Sequence, residues 1–181
     1  LMRSKGDCHL TVKALFKLYG APDKIICDAA REQNSGETLR FANSVGCHIQ
    51  YLEKNTPSAN RAESSIKILK HDTKKDLAEE NAPMVFWCFA MERRADINCS
   101  LAKDTFGLHG QCAETMMTGK PTDISKLCQF KFYQWVKYRR EGQQFPVAHE
   151  RYGRCLGPAK GTGNEMSQWI LTEKGQVLPF Q

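Results

Sequence analysis

Short strand-like segments alternate with helical segments through the first two thirds of this chain. Strands are predicted at residues 24–27 and 48–52, and helices are predicted after Asp7, at 35–45, at 58–80 and from Pro83 onward. Because strands and amphipathic helices bury their apolar faces against each other, this alternation predicts one α/β unit over residues 1–118.

The first two helices should each bury an apolar face and end at a glycine, Gly20 and Gly46 respectively. For the first helix the predicted buried residues are Leu10, Val12, Leu15, Phe16 and Leu18, and for the second they are Leu39, Phe41, Ala42 and Val45.

The composition and the predicted secondary structure of the chain change after residue 118. Residues 130–138 (FKFYQWVKY) are aromatic and β-prone, and glycine-containing turns separate further short apolar segments. This pattern predicts a small antiparallel barrel or curled sheet. Residues 119–181 are therefore expected to form a linker and a β-rich basic module.

Composition favours a polyanionic partner. The 181 residues carry a formal net charge of +6, and the excess of lysine and arginine is larger in the shorter C-terminal region. The eight cysteines show no close pairing, so they are expected to be small buried apolar residues in a reducing compartment. Without a signal peptide or long apolar segment in the sequence, we expect an intracellular protein with no membrane partner.

Two carboxylates are candidates for metal binding. Asp28 directly follows the strand 24–27, which is expected to be buried, and Glu63 lies thirty-five positions later near the start of the long helix. Carboxylates at a strand end and on a neighbouring helix can converge on a divalent cation such as magnesium. An aspartate in a turn and a solvated helix glutamate remain open as alternatives.

The long helix also carries candidate DNA contacts. Lys67, Lys70 and Lys74 follow Glu63 at helical spacing, so all four project from one face. This face fits a track for a DNA backbone, and an ordinary solvated face with Glu–Lys pairs is the alternative. Asn60 and Arg61 are further candidate contacts to phosphate or base, or simply polar residues at a helix start.

The aromatic tail offers a second DNA-binding candidate. Its rings are Tyr133, Trp135 and Tyr138, and its cations are Lys131, Lys137, Arg139 and Arg140. Stacking on nucleic acid and burial in a barrel core are both compatible with this pattern, because alternate strand residues face opposite sides. The helix after Pro83 carries an apolar stripe that fits either a partner-facing surface or the core. Its residues are Phe86, Trp87, Phe89 and Met91.

Several segments together resemble the integrase of copia-type long-terminal-repeat retrotransposons. They are residues 22–33 (PDKIICDAAREQ), 41–46 (FANSVG), 56–63 (TPSANRAE), 117–125 (MTGKPTDIS), 153–158 (GRCLGP) and 166–172 (MSQWILT). The similarity occurs in order along nearly the whole chain, which makes it more specific than the Asp28–Glu63 spacing.

The resemblance implies a ribonuclease-H-like core, a C-terminal DNA-binding module and polynucleotidyl transfer. That family uses an Asp, Asp, Glu triad to hold magnesium (or manganese), which activates water and positions a 3′-hydroxyl for attack on DNA. Asp28 matches the second Asp and Glu63 the Glu. The implied partners are double-stranded DNA, as element ends and target, and further copies of the integrase. The implied location is the nucleus of a eukaryotic host.

Two departures from the family pattern bear on activity. The first Asp is expected upstream of residue 1, together with a zinc-binding module, so the isolated chain is expected to be inactive. The usual Asn-Gly after the second Asp is replaced by Ala29 and Ala30, through subfamily variation or decay. A non-catalytic remnant of a decayed element is therefore the alternative, and a ribonuclease-H-like nuclease outside integration is a third.

Overall fold

The structure is a computed structural model that describes residues 8–27, 36–52, 61–104, 107–139, 150–162 and 166–180. The chain combines α-helices with small β-sheets and divides into two compact units, Leu1–Ile66 and Lys67–Gln181. The predicted mixed α/β class is confirmed. The predicted domain boundary at residue 118 stays a prediction.

The first unit contains a parallel pair of strands joined through a helix. Its elements are α1 (Cys8–Tyr19), β1 (Lys24–Cys27), α2 (Gly36–Ser44) and β2 (His48–Tyr51). β1 and β2 pair in register from Lys24 opposite His48 to Cys27 opposite Tyr51. Parallel strands need a crossover connection, and α2 lies within it. The carboxyl ends of both strands therefore lie at the same edge.

The predicted buried face of α1 is partly wrong. Phe16 is buried and Val12 half-buried against Ala42 and Cys47, whereas Leu10 and Leu18 are exposed. The physical reason is helical geometry, because residues two positions apart are separated by about 200° around the axis. Leu10 and Leu18 therefore point away from the side that Val12 and Phe16 share.

Three further burial predictions for the first unit are wrong. Leu15 of α1 is exposed. Val45, which follows the last turn of α2, is also exposed, while Thr38 and Ala42 form that helix's buried side. Ile26 of β1 is exposed because alternate strand residues face opposite sides, and the side that carries Lys24 and Ile26 is exposed in the part of the chain that the structure describes.

The second unit combines helices with an antiparallel sheet. α3 (Arg61–Glu79) crosses the division between the units, and a 3-10 turn (Met84–Phe86) leads into α4 (Trp87–Ser100). The shorter helices α5 (Ala113–Thr118) and α6 (Ser125–Cys128) follow. The strands are β3 (Trp135–Arg139), β4 (Glu150–Pro158), β5 (Gln168–Thr172) and β6 (Val177–Phe180), paired in sequence order.

The core of this unit joins the helices to the sheet. Leu77 of α3 and Ala90 of α4 pack with Phe132 and Leu156. Arg93 of α4 donates hydrogen bonds to the carbonyls of Leu127 (3.2 Å) and Phe130 (3.1 Å). These two bonds fix the segment before β3 to α4. Burial of the Arg93 guanidinium lowers its pKa.

The cysteines divide between interior and surface. Cys47, Cys112 and Cys155 are buried as expected, but the expectation is wrong for Cys88, Cys99 and Cys128, which are exposed. None of the helices in the described ranges is long and apolar enough to span a bilayer.

Candidate nucleic-acid interface

The outer face of β3 carries alternating aromatic and cationic side chains. Trp135, Lys137 and Arg139 are exposed, and the intervening Val136 and Tyr138 are buried. This alternation follows from the period of two in a β-strand, which places successive side chains on opposite faces. Trp135 leaves 60% of its surface in solvent, so its ring is available to an external ligand.

An arginine from the neighbouring strand lies against this face. Arg154 stands opposite Trp135 in the β3–β4 register. Its guanidinium carbon is 4.0 Å from the centroid of the Trp135 ring and 4.6 Å from that of Tyr133. Both distances fit cation–π contacts. Tyr133, Trp135 and Arg154 are termed the arginine stack below.

Hydrogen bonds hold the arginine stack in place. Arg154 Nη1 donates to the carbonyl of Tyr133 at 2.9 Å, and the Tyr133 amide donates to the carbonyl of Cys155 at 2.6 Å. Tyr133 has a φ of +58°, a conformation that costs a non-glycine residue of order 1–3 kcal/mol. The two bonds offset this cost, and strain of this kind is concentrated at functional sites.

Lys137 differs from the other cations on this strand. Its amine donates to the Glu150 carboxylate at 3.1 Å and lies 5.6 Å from the centroid of the Tyr152 ring. The bond to Glu150 raises the pKa of Lys137. Among the described residues, neither Arg139 nor Lys131 forms an ion pair, so both charges are available to phosphate. To contact DNA, the Lys137 amine has to break its hydrogen bond to Glu150 and bind a phosphate instead.

Not every aromatic residue of the tail can contact DNA. Tyr138 is 5% exposed and packs on the Phe180 ring, with a centroid separation of 4.5 Å. Stacking of Tyr138 on nucleic acid is therefore excluded, because its strand position faces the interior. Arg140, another predicted DNA contact, lies outside the described residues.

α3 carries the second group of predicted contacts. Glu63 lies in its first turn, and Glu63, Lys67, Lys70 and Lys74 are all exposed, as is Arg61. Their spacing keeps the glutamate and three lysines within about 60° around the helix axis. Asn60 lies outside the described residues.

Of the two carboxylates predicted to bind metal, the structure describes only Glu63. Asp28 lies outside the described residues, and Glu63 is exposed on the first turn of α3. Within the described ranges, no three His, Cys, Asp or Glu side chains are grouped so as to hold a metal ion. The assignment of magnesium to Asp28 and Glu63 therefore rests on the sequence.

The sequence interpretation missed Arg154 and Tyr152 as members of the exposed face. Both are on β4 and reach Trp135 and Lys137 only through the strand register. A period-two pattern assigns faces within one strand but does not say which residues of two strands stand opposite. No signal in the sequence fixed that register, because residues 140–149 separate the strands without a recognisable tight turn.

The apolar stripe of the 3-10 turn and α4 is partly in the core and partly exposed. Phe86 and Phe89 pack against the core of the second unit, which confirms core packing for these two. Trp87 is 52% exposed and Met91 half-buried. The part of the stripe at Trp87 thus remains open to a partner.

Comparison with known proteins finds similarity among solved structures. No protein-family model matches the chain, and no curated protein does. Among solved structures, it is similar to a chain in the cryo-EM structure of a simian T-cell lymphotropic virus intasome in complex with PP2A regulatory subunit B56 gamma. The identity is 14% and the TM-score 0.52, over 99% of this chain and 62% of that chain. This likeness concerns the fold alone, and the present chain spans about three fifths of the other.

Proposed function

We propose that this chain is part of a copia-type retrotransposon integrase and that it binds double-stranded DNA. The observation that carries DNA binding is the arginine stack, in which Trp135 is exposed over half-buried Arg154 and Tyr133 and shares the outer face of β3 with the exposed Arg139. Aromatic rings and cations on one exposed surface suit nucleic acid, because rings contact bases or sugars while cations neutralise phosphates.

Two independent observations support the integrase class. The fold likeness to an intasome chain extends over nearly all of this chain. The sequence segments that resemble the copia type occur in the family's order along it. Because a fold alone does not specify function, the site residues must carry the chemical part of the proposal. In this proposal the first region is a ribonuclease-H-like core and the antiparallel sheet a barrel-like DNA-binding module.

The proposed catalytic residues are Asp28 and Glu63. They would hold magnesium (or manganese), which supplies a nucleophile and stabilises charge in phosphoryl transfer. Lys67, Lys70 and Lys74 would guide element-end DNA along α3, with Asn60 and Arg61 at the start of the helix. The working protein would act as an oligomer in the nucleus.

DNA binding is tested by fluorescence anisotropy of a labelled duplex over a range of salt concentrations. Each lost phosphate contact should reduce the slope of log affinity against log salt by about one. Arg139→Gln should weaken binding and reduce this slope, and Trp135→Ala should weaken binding with little change in slope. Lys75→Gln is the matched control, because its amine pairs with Glu79 at 3.7 Å on α3. Equal effects of Arg139→Gln and Lys75→Gln would contradict the proposal.

Catalysis is tested with a chain extended upstream in the parent reading frame. Strand transfer on element-end DNA with magnesium should require both Asp28 and Glu63, so that Asp28→Asn or Glu63→Gln abolishes it while duplex binding persists. If transfer persists after either substitution, Asp28 and Glu63 are not the catalytic carboxylates. If the extended chain binds DNA but is inactive with or without these substitutions, the non-catalytic remnant is the correct interpretation.

A further inference from the structure

An apolar groove lies within the second unit between α3 and the segment formed by the 3-10 turn and α4. Its apolar lining is Leu77 from α3 and Met84, Trp87 and Met91 from the other side. The cavity volume is about 330 Å³, at the lower end of the ~300–1,000 Å³ typical of ligand pockets. It has room for a few large apolar side chains.

The groove is elongated along the helices. On α3 the lining residues Lys70, Thr73, Lys74 and Leu77 recur at helical spacing over two turns, about 10 Å. Met84, Trp87 and Met91 recur at spacings of three and four on the other side. An occupant that matches such a pair of stripes is itself elongated, as an amphipathic helix is when it lies in a groove.

The groove combines two exposed apolar side chains with a buried hydroxyl that already has a hydrogen-bond partner. Met84 is 63% exposed and Trp87 is 52% exposed, which is unusual for neighbouring large apolar side chains. The Thr73 hydroxyl already donates to the carbonyl of Leu69 at 2.7 Å. Methionine side chains adapt to different apolar partners, so this surface is suited to protein side chains.

The charge at the groove selects its occupant. Lys70 and Lys74 stand on one side, and in the part of the chain that the structure describes neither forms an ion pair. The nearby carboxylate of Asp76 is bound by Arg94, and that of Glu79 by Lys75. From this charge pattern we infer that the groove binds the apolar face of an acidic amphipathic helix from a partner protein. This inference goes beyond DNA binding and does not depend on catalysis.

The probe for this site is a fluorescent, helix-stapled peptide of about sixteen residues, with leucines along one face and glutamates on its flanks. A control peptide has every glutamate replaced by lysine. Anisotropy titrations with the full chain should show binding of the acidic peptide and roughly tenfold or weaker binding of the basic peptide. Equal affinity for the two would overturn the charge argument.

Met84 and Val85 provide a matched pair of variants. Both are exposed residues of the 3-10 turn, but only Met84 lines the groove. Met84→Glu should weaken peptide binding by roughly tenfold or more, and Val85→Glu should change it by less than about twofold. Met84→Gln serves as a neutral second variant, and thermal melting by circular dichroism verifies that each variant is folded. Equal effects at the two positions would exclude the groove.

Two other occupants give distinct results, and either would overturn the inference. If light scattering shows a dimer that Met84→Glu dissociates while the acidic peptide does not bind, the groove accepts a second copy of this chain. If the uncharged Met84→Gln weakens duplex binding as much as peptide binding, the groove serves DNA.

Discussion

At the scale of single residues, Gly153 is the position where the sheet tolerates least change. A Cβ atom there would lie 2.5 Å from Ile170 Cγ2 and 2.7 Å from the carbonyl oxygen of Leu171. The second contact is with backbone that is fixed in the β4–β5 ladder, so a side-chain rotation cannot relieve it. Only glycine allows β4 and β5 to approach this closely.

Gly153→Ala should therefore lower the free energy of unfolding by about 1–3 kcal/mol, toward the upper end of that range. Gly175→Ala is the comparison, because a Cβ there meets nothing within 4 Å and the cost is the positive φ of +74° alone, about 1 kcal/mol. Urea titration followed by tryptophan fluorescence measures both. A smaller loss at Gly153 than at Gly175 would show that the strands separate readily.

Cys155 makes stability depend on pH at the alkaline end. Burial raises the pKa of its thiol above the ordinary value of about 8.5. Below that pH the thiol is neutral in both states and contributes no pH dependence. Above it the unfolded thiol ionises first, so the unfolded state binds fewer protons and stability falls until the folded pKa is reached. From about pH 8 to 10, wild type should lose stability more steeply than Cys155→Ser.

The same urea titrations at a series of pH values measure this difference. Cys88→Ser is the control, because it makes the same substitution at an exposed cysteine. Parallel pH profiles for wild type and Cys155→Ser would mean that the Cys155 thiol has the same pKa in the folded and unfolded states.

At the scale of elements, the sequence predicts the strands and helices better than it predicts their contacts. The strand predicted at 24–27 is observed with the same bounds, because an apolar run follows a helix-ending Gly20 and Pro22. The prediction for the buried side of α1 is partly wrong. The positions of the elements that pack on this helix, rather than the number of its apolar residues, decide which side is covered. The arginine stack could not be predicted, because it depends on the β3–β4 register.

α3 is attached to the second unit chiefly through its C-terminal half. Leu77, at 5% exposure, packs on Ala90, Phe132 and Leu156, whereas Ile68 is 56% exposed. Leu77→Ala should reduce the free energy of unfolding by about 2–5 kcal/mol, because it removes apolar contacts and leaves a cavity.

Tryptophan fluorescence suits this measurement, because all three tryptophans, Trp87, Trp135 and Trp169, lie in the second unit. Ile68→Ala is the surface control and should stay within about 0.5 kcal/mol of wild type. If Leu77→Ala is as mild as Ile68→Ala, α3 is not part of the cooperative core of that unit.

At the scale of the whole molecule, the two proposals share a pair of cations. Lys70 and Lys74 are proposed to guide DNA along α3, and the same side chains line the groove proposed for an acidic helix. One ammonium group cannot fully neutralise a phosphate and a carboxylate at once, so the two ligands should oppose each other. Thermodynamic linkage requires the effect to be reciprocal.

A saturating acidic peptide should therefore raise the duplex Kd by roughly tenfold, and saturating duplex should raise the peptide Kd by the same factor. Anisotropy titrations with the label on either ligand give the two factors independently. In the double variant Lys70→Gln and Lys74→Gln both ligands bind more weakly, but their antagonism should vanish, since the shared cations are gone. If saturating either ligand leaves the Kd of the other unchanged in wild type, DNA does not use Lys70 and Lys74. The arginine stack with Arg139 is then the principal DNA contact. A partner helix that antagonises DNA in this way would act as a switch, because it would release α3 from DNA without altering the sheet.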